Sequence, residues 1–154
     1  MTALSRRAAL ALGLASLVAA CGGSRRRDRR RAEDSRGPAE INALISRFAR
    51  EYDIPESLLH RVVKRESNYN PAARNGPYWG LMQILPQTAR TMGHRGPAQE
   101  LLDPEVNLRY GAKYLRGAYL VARGNHDRAV MWYARGYYYE AKRMGLLEET
   151  GLRS

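Results

Sequence analysis

The chain has 154 residues, enough for one folded domain and little more. Its single cysteine excludes an intrachain disulfide. The net charge of +11 is unevenly spread, with +2 over residues 1–20, +4 over 21–37 and +5 over the rest. The folded part is therefore only moderately basic. Such a field favours a polyanion without choosing among nucleic acid, an anionic membrane face and an acidic wall polymer.

Residues 1–20 read as an export signal. Arg6 and Arg7 precede an uncharged run rich in Ala and Leu over 8–20. That run is too short for a membrane-spanning helix, which needs about 20 apolar residues. The paired arginines resemble a twin-arginine signal. Val18-Ala19-Ala20-Cys21 resembles the lipobox of bacterial lipoproteins, which implies a lipid on Cys21 and an exported, periplasmic, membrane-anchored protein. Residues 21–37 set seven Arg against Asp28, Glu33 and Asp34 and hold no aliphatic anchor. They read as a flexible tether, able to lie on anionic headgroups.

The domain expected over 38–154 is helical, because apolar residues recur at steps of three and four and nowhere alternate in a sustained way. Pro38 opens a helix carrying Ile41, Leu44, Ile45, Phe48 and Tyr52. Pro55 opens a second, with Leu58, Leu59, Val62 and Val63 as its stripe. Asn70-Pro71 and Asn75-Gly76-Pro77 stop it, and a loop follows through Gly80. Pro86 starts a short helix with Leu85, Ala89 and Met92 inward, closed by Gly93, and one further turn is read over 97–102. Pro104 opens a long helix to about Arg123, with Val106, Tyr110, Gly111, Tyr114, Leu115, Ala118 and Val121 inward. The last stretch, from His126 to about Met144, is open to interruption at Gly136. The fold class is all-α, with about five to seven helices.

Glu66 stands out. Leu59, Val62 and Val63 precede it by seven, four and three residues, which puts its carboxylate on the apolar face of the second helix. An ionised carboxylate there is costly, and the usual outcome is a raised pKa. A carboxyl that holds its proton near neutral pH can act as a general acid. The alternative is a helix-end Glu paired with Arg65 or another base. Asp53, Asp103 and Asp127 each stand near a helix start and read as N-caps rather than as a second catalytic carboxylate. His60, His94 and His126 lack metal-ligand spacing, so no metal and no cofactor is expected. Ser67 has no partnered His or Asp in the local sequence.

Glu66-Ser67, Gly80-Leu81-Met82-Gln83, and Tyr133 between Ala129 and Gly136 occur in that order. Asn70-Pro71, Leu85-Pro86 with Thr88-Ala89, and Asp103-Pro104 with Asn107 fall between them. Over 41–144 the chain resembles the soluble lytic transglycosylase catalytic domain family, a lysozyme-like α fold. The resemblance implies cleavage of peptidoglycan glycan strands, with Glu66 as acid and then base. It puts Gln83 and Met82 along the sugar subsites and has Tyr133 hydrogen-bonding Glu66. Ser67, Asn75 and Tyr137, the last from the run Tyr137-Tyr138-Tyr139, complete the candidate substrate-binding set, and Tyr78 and Trp79 would flank the cleft. Asn107 reads as structural, turned inward toward Gly111. Two departures stand out: Ala134 where the family has Asn, and Pro77-Tyr78-Trp79 where it has small residues. A hydrolytic muramidase of the goose-type-lysozyme kind and a catalytically weak wall-binding lipoprotein are the competing readings; a nucleic-acid partner rests on charge alone and is not expected.

Overall fold

The structure, a computed structural model, describes residues 38–153. The export signal, Cys21 and the Arg-rich tether lie outside the described residues. Six α-helices carry the fold: α1 (Ala39–Glu51), α2 (Glu56–Ser67), α3 (Pro86–Thr91), α4 (Pro104–Val121), α5 (His126–Arg135) and α6 (Tyr138–Met144). A 3-10 turn spans Ala98–Leu102, and one small hairpin pairs β1 (Arg74–Asn75) with β2 (Tyr78–Trp79). The all-α expectation stands.

α1 and α2 bury the stripes read from their spacing: Ile41, Ile45 and Phe48 on one, Leu58, Leu59, Val62 and Val63 on the other. α1 packs against α2 and along α4, the central helix, whose Leu108, Ala112, Leu115 and Ala118 join the same core. Each fully buried aliphatic or aromatic side chain contributes about 1.5–3 kcal/mol. Val106, Tyr110 and Tyr114 of the same helix are only partly buried, and the first two serve a smaller cluster formed by Trp79, Ile84, Ala89 and Leu101. α5 packs along α4, and Gly136 at φ +81 separates α5 from α6. A residue at positive φ cannot continue a right-handed helix, so the chain is interrupted at Gly136.

The three aspartates differ. Asp103 caps α4, its Oδ1 accepting from the Val106 N–H at 2.9 Å. Asp127 is not a cap: it lies in the first turn of α5 and pairs with Arg61 at 2.7 Å, while Asn125 accepts from the Arg128 N–H. Asp53 is not a cap either. It turns the chain at φ +48 ahead of Pro55 and stands 3.7 Å from Arg116. The hairpin was not legible, because strands of two residues are too short to show alternation. Its register pairs Arg74 with Trp79 and Asn75 with Tyr78, with Gly76 at φ +57 opening the two-residue loop.

Candidate active site

The site is built on the segment Gly80–Gln83, which two helices pin by side-chain hydrogen bonds. Gly80 sits at φ +69, where a Cβ would lie 2.2 Å from the Leu101 carbonyl oxygen and 2.3 Å from Asn107 Nδ2. Only glycine fits there. Asn107 of α4 is fully buried. Its Nδ2 donates to the carbonyls of Trp79 (2.8 Å) and Leu101 (2.7 Å), and its Oδ1 accepts from the Met82 N–H (2.8 Å). Asn107 is thus structural, as its inward spacing indicated. From α5 the Tyr133 hydroxyl donates to the Met82 carbonyl at 2.8 Å.

This anchoring turns Met82 away from the cleft. Its side chain is fully buried, lying in the slot that Gly111 leaves open, where a Cβ would stand 2.5 Å from Sδ. Met82 serves the site through its backbone, not as a wall of a sugar subsite. Gln83 follows at φ +47, a conformation that a non-glycine residue adopts at a cost. Its Nε2 donates to the carbonyls of Gly80 (2.9 Å) and Ala73 (3.1 Å), which ties the segment to the chain ahead of the hairpin.

The resulting groove holds about 630 Å³ and is lined by Glu66, Ser67, Asn75, Tyr78, Gln83, Tyr133 and Ala134, with Lys64, Arg65 and Arg74 as its cations. A second lobe of about 240 Å³ shares Tyr78, Gln83, Tyr133 and Ala134 and continues past Thr88, Tyr114 and Arg135. Shared walls make the two lobes one groove. Ala134, where a larger side chain was expected, faces both.

Glu66 stands in the last turn of α2 with its side chain 21% exposed. Burial raises its carboxyl above the usual range, and the Arg65 guanidinium, whose Nε lies 3.5 Å away, lowers it by less. The ion pair with Arg65 therefore exists, yet desolvation wins. Among the described residues lining the groove, Glu66 is the sole carboxylate. Burial, and then the Glu66 charge, push the Tyr133 phenol well above its ordinary value, so it stays protonated. That proton goes to the Met82 carbonyl rather than to Glu66. Tyr133 holds the segment opposite Glu66, a correction to its expected role.

Ser67 lines the groove but its Oγ donates back to the Val63 carbonyl at 3.2 Å. Asn75 lines it from β1. Tyr137 does not reach it: the side chain is buried and its hydroxyl donates to the Tyr114 carbonyl at 2.8 Å, in the slot at Gly117. Tyr78 stands on the rim, 42% exposed, whereas Trp79 is buried beneath Arg74. Lys64 and Arg74 were missed by sequence reasoning. Arg74 could have been found from Asn75-Gly76-Pro77, since a two-residue loop there pairs it with Trp79. His94 is buried against Glu100, and His60 meets Tyr69. Among the described residues no group of three or more His, Cys, Asp or Glu side chains could hold a metal ion.

A small helical domain with one half-buried carboxyl in an open groove defines the class. The chain belongs to the transglycosylase SLT domain family, whose model matches residues 43–145. It is 37% identical over 95 residues to the soluble lytic murein transglycosylase of Salmonella typhimurium, covering 56% of this chain and 14% of that protein. It is 31% identical over 108 residues to peptidoglycan transglycosylase gp16 of Escherichia phage T7, covering 67% of this chain and 8% of that one. Membrane-bound lytic murein transglycosylase E of Buchnera aphidicola is 37% identical over 82 residues, covering 48% of this chain and 37% of its own length. The chain thus spans a minor part of each of these relatives. No solved structure matches it.

Proposed function

We propose that this chain is a peptidoglycan lytic transglycosylase, cleaving the β-1,4 bond from N-acetylmuramic acid to N-acetylglucosamine and leaving a 1,6-anhydromuramoyl end. The observation that carries the reading is a single carboxyl of raised pKa in a groove with no second carboxylate among its described lining residues. Glycosidases that use water ordinarily need two carboxylates. Here the nucleophile is part of the substrate. The Glu66 carboxyl protonates the glycosidic oxygen as the C1–O bond breaks. The C6 hydroxyl of the same muramic acid then bonds to C1, and the Glu66 carboxylate takes the hydroxyl proton. No water is consumed. An intramolecular nucleophile carries a large effective molarity, so little further activation is required. Gln83, Tyr78, Asn75 and Ser67 offer polar and aromatic contacts to the sugars.

The names of the relatives support the substrate, and so does the family. Export and a lipid on Cys21 form the rest of the proposal, with residues 21–37 as the tether. The test is release of soluble fragments from purified sacculi. Glu66→Gln should reduce it by at least about a thousandfold while binding persists, since general acid–base catalysis contributes about 10²–10⁴-fold per role. Equal release by both proteins would overturn the assignment. The intact mass of the same membrane-extracted preparation checks the anchor: an unmodified Cys21 refutes it.

A further inference from the structure

The larger lobe of the groove is lined by three cations, Lys64, Arg65 and Arg74, against one carboxylate. Arg65 faces Glu66 itself. Arg74 faces no carboxylate among the described residues. Its guanidinium carbon lies 3.4 Å from the centroid of the Trp79 ring, its partner across the hairpin, and one Nη donates to the Gly76 carbonyl at 3.4 Å. Trp79 is only 8% exposed and belongs to the smaller core cluster, so the platform beneath the guanidinium is held by core packing. A guanidinium held over an indole keeps most of its N–H fork unspent and has already given up much of its rotamer freedom. Such a group is prepared for a carboxylate, which it can meet with two parallel hydrogen bonds.

We propose that Arg74 is a carboxylate-binding residue of this groove. It reads the acid groups that separate peptidoglycan strands from neutral chitin-like polymers of the same backbone. This rests on the peptidoglycan reading of the site. The shared chemistry, a carboxylate beside the glycan, has two sources. In bare strands it is the lactyl group of N-acetylmuramic acid; in intact strands it belongs to the stem peptide.

The experiment measures binding by the full chain in detergent, in a Glu66→Gln background so that ligand is not consumed. The ligands are soluble intact strands, strands stripped of peptide by an amidase, both kinds with their carboxylates converted to amides, and a chitin hexamer. Adding Arg74→Gln should raise Kd about tenfold for carboxylate-bearing strands, the lower range for a charged hydrogen bond at an exposed site. It should leave the amidated strands and the chitin hexamer unchanged, and Arg74→Lys should recover part of the loss. A loss confined to intact strands assigns the stem peptide; a loss on stripped strands assigns the lactyl group. Equal Kd values on all ligands would overturn the proposal, and so would an equal loss on native and amidated strands, which marks Arg74 as a brace of the hairpin. If the parent binds no strand at all, the peptidoglycan reading itself falls. If the parent binds strands and Arg74→Gln binds them equally well, only the present inference falls.

Discussion

Glu66 follows Val62 and Val63 at the end of the α2 apolar stripe, where desolvation by burial outweighs the Arg65 charge and the carboxyl pKa rises. A raised folded-state value means that the fold favours the protonated form. The cost of burying the charge is absent below the unfolded carboxylate range and grows as pH climbs through the folded value. Glu66→Gln removes that cost. The variant should therefore melt higher than the parent at pH 7, and the gap should close near pH 4. A gap independent of pH would show that Glu66 is not held against its charge. If Glu66 is the proposed acid, the alkaline limb of activity should likewise report a carboxyl above its ordinary range, because that role is lost with the proton. Glu66 was legible in the sequence since i−3, i−4 and i−7 spacing reports a helix face directly. Arg65 was harder. Its backbone direction differs from that of Glu66, but a long side chain curls back to 3.5 Å.

The element that makes the site is the Gly80–Gln83 segment, which owes its shape to partners distant in sequence. Asn107 lies 25 residues from Met82 and 28 from Trp79. Replacing it with Ala would strand the Met82 N–H and the Leu101 carbonyl inside the protein, while the Trp79 carbonyl keeps the Ile84 N–H at 3.1 Å. Each unsatisfied buried group costs about 1–3 kcal/mol. Asn107→Ala should cost about 2 kcal/mol or more in urea denaturation, a large share of the roughly 5–15 kcal/mol that holds a domain of this size. A loss under about 1 kcal/mol would contradict the anchoring role. Local spacing could turn Asn107 inward but could not supply its partners. The same limit explains two side chains misplaced by sequence reasoning. Met82 and Tyr137 have the chemical character of cleft residues, yet Gly111 and Gly117 open slots on α4 that take them into the core. A slot is a property of two packed elements, and neither element's periodicity reveals it. The hairpin escaped notice for a similar reason, and with it the pairing of Arg74 with Trp79.

At the scale of the whole molecule, the helical architecture followed from the stripes of α1, α2 and α4, because a 3.6-residue period over a dozen or more residues leaves few alternatives. The groove lies where the end of α2, the hairpin, the Gly80–Gln83 segment and the end of α5 meet, so that α2 brings Lys64, Arg65 and Glu66 and the hairpin brings Arg74 and Tyr78. Family membership, one carboxyl in that groove and a substrate that carries its own nucleophile form one account. The measurement that tests it most directly is mass spectrometry of the fragments released from purified peptidoglycan by this chain. Muropeptides lighter by one water than hydrolytic products, with 1,6-anhydromuramoyl ends, are the expected result. Reducing muramic acid ends would contradict it and would mean that a water molecule, activated by some other group, attacks C1.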